Sequence, residues 1–387
     1  MGEEIIDTYN RANTFSEKYD ARLEKFGKED VMPLWVADMD LPTSPAIVET
    51  LKERIAHPIF GYHHYHDSYF KAIQHWMQKQ HHWHVPLSDI APINAIVSAL
   101  AIAVDTFSDE GDGILIQTPI YPPFMQTIHS QNRKVLDNTL QVIKGHYEID
   151  FADFEAKAQE AKLFLFCSPH NPTGRVWKKE ELEKIAHICH QHDVIIIADE
   201  VHADLTYHDN IHLPIASLTQ AKELTITLNA PSKTFNVASI VNAYAICHNP
   251  DLLKTFLSPF KRLHLINPNP LSMAVTIAAY HDSDVWLAHI KKLFLQNLRT
   301  IYDKLDKMTL IKPIQPEATF LLWLDCQDLK LGDEALKHFF VHEAKLGLNQ
   351  GLSFGEAGRG FMRLNFAHEP QEIEQAMQQL LQAYNKR

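Results

Sequence analysis

Val194-Ile-Ile-Ile-Ala-Asp199-Glu200-Val201-His202 decides the fold. Apolar residues run without interruption and stop directly on two acids. A strand with one wet face alternates apolar and polar residues. A continuous apolar run reads instead as a strand covered on both faces, as in a parallel sheet flanked by helices. An acid that ends such a strand is costly unless it meets a charged partner, and a pyridinium nitrogen is one such partner. A helix N-cap is the plainer alternative.

Similar runs lie on either side, at Ile114–Gln117, Leu163–Cys167, Leu224–Leu228 and Ala243–Ile246. Helix-like stretches such as Lys179–His192 separate them. This alternation predicts βαβ units in an open, mostly parallel sheet, an α/β fold. From Trp286 the pattern changes. Trp286, Ile290, Leu293, Phe294 and Ile301 mark a long amphipathic helix. Strand-like Phe320–Leu324 and Phe361–Phe366 follow, then a closing helix through Ile373, Met377 and Leu380. These predict a smaller α+β domain after the Ile266–Pro270 loop. A chain of 387 residues exceeds one ordinary domain. The expected division is an N-terminal arm with part of the small domain over 1–45, a large domain over 46–284 and the rest of the small domain over 285–387.

The balance of 36 basic against 48 acidic residues gives −12, which argues against nucleic acid or an anionic membrane as partner. It leaves room for a local basic pocket. Twenty-four histidines raise the question of a metal, densest at His63, His64, His66 and at His81, His82, His84. No HExxH spacing occurs, and the second group follows Tyr69, Phe70, Ile73, Trp76 and Met77 at helical spacing. These histidines read as the polar end of a helix, with no metal. Cys167, Cys189, Cys247 and Cys326 form no CxxC and read as buried free thiols in a reducing compartment. Met1-Gly2-Glu3-Glu4 lacks the pattern of a signal peptide. Ile90–Val104 is too short and interrupted to span a bilayer. A soluble, cytoplasmic protein is expected.

In open α/β sheets, ligands bind beyond the carboxyl ends of strands. After Leu163–Cys167 comes Ser168-Pro-His-Asn171-Pro-Thr-Gly174, where two prolines and a glycine fix a tight loop that presents Asn171. It also reads as a plain turn. After Leu224–Leu228 comes Asn229-Ala-Pro-Ser232-Lys233-Thr234-Phe-Asn236. An amine partly desolvated in this turn has a lowered pKa and is a competent Schiff-base nucleophile; the alternative is an exposed lysine. Ser232 and Thr234 are candidate phosphate donors. Near the C-terminus, Arg363 falls inside a strand-like run. There a guanidinium needs an anion, either a substrate carboxylate held bidentately or a structural acid.

Asn171, Asp199, Lys233 and Arg363, in that order, resemble the fold type I pyridoxal-5′-phosphate enzymes of the aspartate aminotransferase superfamily. Trp35–Asp40, Gly61-Tyr62, Thr118–Phe124, His170–Arg175, Asp199–His202, Pro231–Asn236 and Gly358–Arg363 look like its cystathionine β-lyase branch, MalY/PatB. The resemblance covers almost the whole chain. It implies a large pyridoxal-phosphate-binding domain, with a mostly parallel sheet of seven-stranded type between helices, plus the smaller α+β domain.

By this resemblance, Lys233, Tyr121 and Asp199 form the catalytic set. Lys233 holds the cofactor as a Schiff base and shuttles the substrate Cα proton. Asp199 pairs with the pyridine N–H. Asn171 and His202 lie near O3′, Tyr121 stacks on the ring, and Ser232 lies near the phosphate. Ala95 and Ile96 begin the phosphate-binding helix, where this branch commonly has Gly-Val-Val and this chain has Ala95-Ile96-Val97. Backbone amides at a helix N-terminus bind phosphate with either sequence. Arg363, with Ala37 and Asn171, contacts the substrate. Tyr62 reaches the phosphate of a neighbouring subunit, which implies a homodimer with shared sites. The implied activity is β-elimination of cystathionine, cysteine or a related S-substituted amino acid to thiol, pyruvate and ammonia. An aminotransferase would use the same Lys233, Asp199 and Arg363. A regulatory binding protein acting through protein contacts is the reading from another class.

Overall fold

The structure is a computed structural model and describes residues 9–207 and 209–387. Its larger sheet has seven strands. They are β1 (Ile90–Ile93), β2 (Gly113–Ile116), β3 (Lys134–Asp137), β4 (Ala161–Cys167), β5 (Ile195–Asp199), β6 (Thr225–Asn229) and β7 (Ala243–Ile246). Their order across the sheet is β1-β7-β6-β5-β4-β2-β3. Only β7 runs against the others. The carboxyl ends of the remaining strands, β1 included, therefore share one edge.

The alternation of faces explains the unbroken apolar runs. Leu163, Leu165, Ile197 and Ile226 pack into one core beneath the helices Ile96–Phe107, Pro122–Ser130 and Pro250–Arg262. Phe164, Phe166, Ile196 and Ala198 pack into another with the helices Phe151–Ala158 and Lys179–Gln191. With both faces covered, a polar residue on either side would lose its water. The two strands that sequence reading missed, β1 and β3, are the edges. Strand β1 tolerates Pro92 there, because an edge strand need not use every N–H. Strand β3 leaves Lys134 exposed.

A second sheet is antiparallel, in the order β8-β9-β11-β10, from β8 (Lys312–Ile314), β9 (Leu321–Asp325), β10 (Asn349–Gln350) and β11 (Phe361–Asn365). The helices Asp284–Leu305 and Pro370–Tyr384 bury Ile290, Phe294, Ile373 and Met377 in one core with Leu322 and Leu364. Trp76 and Tyr280 belong to the same core, which runs without a break between the two sheets. Met32–Pro33 pairs in parallel with Leu346–Gly347, and the backbone N–H of Asn365 donates to Leu34 O at 3.0 Å. The 35–41 segment is thereby laid alongside β11.

The four cysteines are buried and free. No helix among the described residues is long and apolar enough to cross a membrane. The histidine reading needs one correction. His81 ends the helix Asp67–His81 but is buried, with Nε2 at 2.9 Å from Asp204 Oδ1, instead of forming a wet helix end. His82 and His84 are exposed.

Candidate active site

Three neighbouring strands deliver the first part of the site. Asp199 is the last residue of β5 and lies opposite Cys167 of β4. Its carboxylate is buried, and among the described residues the only hydrogen bond it receives is from the Val201 N–H at 3.2 Å. Burial pushes the carboxyl up to about 6, against the opposing pull of that N–H and of Lys233. The loop after β4 places Asn171 beside this edge, with its backbone N–H on Cys167 Sγ at 3.4 Å. His202, one turn after Asp199, is buried, and its Nδ1 has no partner among the described residues. Burial, helped by the nearby cations Lys233 and Arg363, holds its imidazole at about 3, so it is neutral.

Lys233 lies in the turn after β6. Its Nζ donates to the Ala37 carbonyl at 2.7 Å. Burial lowers its pKa and Arg363 adds to this, while Asp38 and Asp199 pull the other way. The turn is pinned from below. Asn236, in the left-handed region, donates to the carbonyls of Met39 (3.0 Å) and Leu41 (2.9 Å) and accepts from the Met39 N–H. The Thr234 hydroxyl donates to Asp204 Oδ2 at 2.8 Å, facing the interior, and so is not a phosphate donor. Ser232 is half-buried in the same turn.

Arg363 comes from the second sheet and completes the arrangement. Nη1 donates to Asn171 Oδ1 at 3.0 Å, and Nη2 to the Trp35 carbonyl at 3.0 Å and Asn349 Oδ1 at 2.9 Å. It is only 4% exposed, yet no carboxylate lies within ion-pair distance among the described residues, and Nε has no partner. Desolvation lowers the guanidinium to about 10. Its carbon lies 4.9 Å from the Phe354 ring centroid. The structural-acid alternative for Arg363 is thus absent. Tyr121 begins the helix Pro122–Ser130 half-buried, and burial raises its phenol, which feels both Arg363 and Asp199. The sequence did not point to Asn349, nor to the Trp35 carbonyl. A neutral amide on a two-residue strand carries no periodic signal, and a carbonyl carries none at all.

Ala95 stands at the N-cap of the helix Ile96–Phe107 with φ −155° and ψ 154°. This is ordinary extended backbone, open to any residue, so the position does not require glycine. No side chain caps this helix, which leaves its first N–H groups free for an anion. Tyr62, like the Thr234 hydroxyl, is not gathered here. It is fully exposed, among exposed Ile59 and Phe60.

Among the described residues, a buried carboxylate in no ion pair, an unpartnered histidine nitrogen, a desolvated lysine and an arginine without an acid match the polar groups of pyridoxal phosphate and of an amino acid. On this sheet they define a protein of the fold type I class. The chain belongs to the aminotransferase class I and II family, whose model matches residues 29–380. It is 37% identical to the cystathionine β-lyase PatB of Bacillus subtilis over 92% of this chain and 93% of that protein. It is 32% identical to the MalY protein of Escherichia coli over 97% of each. The crystal structure of cystalysin from Treponema denticola, which contains pyridoxal 5′-phosphate, superposes with a TM-score of 0.95 at 33% identity and covers 100% of both chains.

Proposed function

We propose that this protein is a pyridoxal-phosphate-dependent carbon–sulfur lyase acting by β-elimination on cystathionine or related S-substituted cysteines. The observation that carries the reading is Arg363, buried without a carboxylate partner among the described residues and joined through Asn171 to the edge that holds Lys233 and Asp199. A guanidinium in that state awaits an anion, and an amino acid's α-carboxylate fits its fork.

Asp199 would hold the pyridine nitrogen, Asn171 and His202 the ring hydroxyl, and Tyr121 one ring face. Ser232 and the free amides at Ala95 and Ile96 would hold the phosphate. When bound, the cofactor supplies an electron sink for charge developing at Cα. Arg363 and Asn171 hold the substrate carboxylate, and the Ala37 carbonyl lines the same side. Lys233, whose pKa desolvation lowers, takes the Cα proton. The Cα–H bond breaks, the Cα–Cβ double bond forms, and the thiolate leaves Cβ. Hydrolysis of the resulting enamine gives pyruvate and ammonia. Tyr62, exposed here, would complete the phosphate site of a second subunit in a cytoplasmic homodimer. We place the domain divisions after residues 45 and 284.

The test is direct. Purified protein loaded with pyridoxal phosphate is given cystathionine and a small panel of S-substituted cysteines, with no keto acid. Thiol and pyruvate should appear together, and Lys233→Ala should abolish both along with the visible absorbance of bound cofactor. Turnover that needs an added keto acid and releases no thiol would sink the proposal.

A further inference from the structure

We infer that Glu317 is a positioning residue for the substrate carboxylate: it ties the loop bearing Asn171 to the strand pair bearing Arg363. The inference rests on the reading that Arg363 binds that carboxylate. Glu317 stands on neither catalytic turn.

The geometry is a closed ring. Its first side is the Asn171–Arg363 hydrogen bond of 3.0 Å. From Asn171 the chain runs to Gly174, whose carbonyl accepts from the backbone N–H of Glu317 (2.9 Å) and Ala318 (3.0 Å). Glu317 then locks the junction with its side chain. Oε2 accepts from Arg175 Nη1 at 2.6 Å and from the Val176 N–H at 2.7 Å. From there the chain continues into β9, where Trp323 lies opposite Arg363 and closes the ring. The approach at the junction is tight. Gly174 has φ +72°, and a Cβ there would lie 2.9 Å from Pro316.

The same crosspiece touches the turn after β5. Tyr207 N–H donates to the Glu317 carbonyl at 2.8 Å, and Thr319 N–H to the Leu205 carbonyl at 2.8 Å. Arg175 is itself buried, and its Nη2 is held bidentately by Glu181 at 2.9 and 3.0 Å. Loss of the Glu317 side chain therefore leaves Arg175 paired with Glu181 and the backbone bonds to the Gly174 carbonyl in place, but removes the carboxylate that locks Arg175 and the Val176 N–H to the crosspiece. What changes is the placement of Asn171 against Arg363. Lys233 and Asp199 hydrogen-bond to no part of this junction. A fault here should thus fall on carboxylate binding before it falls on proton transfer or cofactor retention.

The experiment uses the loaded enzyme and four variants, Glu317→Ala, Glu317→Asp, Glu317→Gln and Arg363→Lys. It reads KM and kcat for an S-substituted cysteine, Ki for propionate as a bare carboxylate, and cofactor half-saturation by absorbance. Glu317→Ala should raise KM and Ki roughly five- to twentyfold with kcat within about twofold, and cofactor half-saturation, which Asn171 shares with other groups, should move less than Ki. Glu317→Asp, a methylene too short to reach, should act in the same direction and serves if the alanine variant does not fold. Glu317→Gln keeps an acceptor oxygen and should stay within about threefold of the parent. Parental KM and Ki in both the Ala and Asp variants would overturn the inference. So would equal losses in KM, kcat and cofactor affinity, since those mark general loosening. If Arg363→Lys leaves the propionate Ki unchanged, the reading of Arg363 itself fails. If that variant raises Ki and the Glu317 variants do not, only the role of Glu317 fails.

Discussion

Asp199 ends β5 and Asp204 lies in the turn after it, and both are buried, but they live in opposite electrostatic worlds. Asp204 accepts from Trp76 Nε1 (3.1 Å), His81 Nε2 (2.9 Å) and Thr234 Oγ1 (2.8 Å). Burial alone would raise its carboxyl, but the hydrogen bonds, His81 foremost, outweigh burial and hold it below the usual range. Asp199, with one long backbone hydrogen bond, sits at about 6. The arginines repeat the contrast. Arg175 is clasped by Glu181 and Glu317, whereas Arg363 finds neutral acceptors and keeps one N–H bare. Asp204 and Arg175 are saturated, whereas Asp199 and Arg363, at the candidate site, are left short of partners. Buried polar groups are nearly always satisfied, so shortfalls gathered at one place, as in His202 Nδ1 and Arg363 Nε, fit a ligand's own groups.

Substitutions on the two sides of this contrast should fail in different ways. The largest effect is expected at Asp199→Asn, with turnover falling roughly a hundredfold to a thousandfold. Its effect on the cofactor-free protein should be the reverse, a gain in stability that depends on pH. A carboxyl whose folded pKa is raised to about 6 costs nothing at low pH, where it is protonated in both states. The cost appears as pH rises from the unfolded value, about 4, through 6. The amide that replaces it cannot ionise, so the variant should melt higher than the parent above pH 6 and alike below pH 4. Thermal scans across that range check this, and a variant less stable at pH 7.5 would break the contrast.

Asp204→Ala should do the opposite, destabilising the protein by about 3 kcal/mol because it strands His81, Trp76 and Thr234 in the core. Denaturant unfolding of the cofactor-free protein measures it. A loss below about 1 kcal/mol would mean that the saturation of Asp204 carries little weight. The smallest effect is expected at Arg363→Lys. Charge is kept and the planar fork is lost, so kcat/KM should fall roughly tenfold to a hundredfold. The visible absorbance of bound cofactor should persist. Undiminished kcat/KM would return Arg363 to the framework side.

The covered strands were legible because burial on two faces writes itself as an unbroken apolar run, as in Leu163–Cys167 and Val194–Ala198. The edges β1 and β3 were not, since Pro92 and Lys134 are permitted only where one side of the strand lacks a neighbour. Asn171, Asp199, Lys233 and Arg363 were legible through their positions at strand ends or inside a strand. Side-chain direction was not. Thr234 adjoins Lys233 in sequence but points to Asp204, and His81 looked like a helix end because its partner lies far along the chain. Tyr62 is the reverse case, a residue singled out by motif whose partner groups do not lie within its own chain's site.

The order β6-β5-β4 in the larger sheet has a metric consequence. Strands in a sheet lie about 4.8 Å apart, so adjacent strands that end at one edge space their terminal residues like graduations on a ruler. Lys233, Asp199 and Asn171 come from consecutive graduations, across a span of about 10 Å between the outer two strands. That is the breadth of one six-membered heteroaromatic ring with its substituents. The backbone ladder, through hydrogen bonds that involve no catalytic side chain, sets the gauge of the molecule this edge can grip. Mutating the loops changes what is gripped there, but the width of the grip would change only if a strand were inserted or lost.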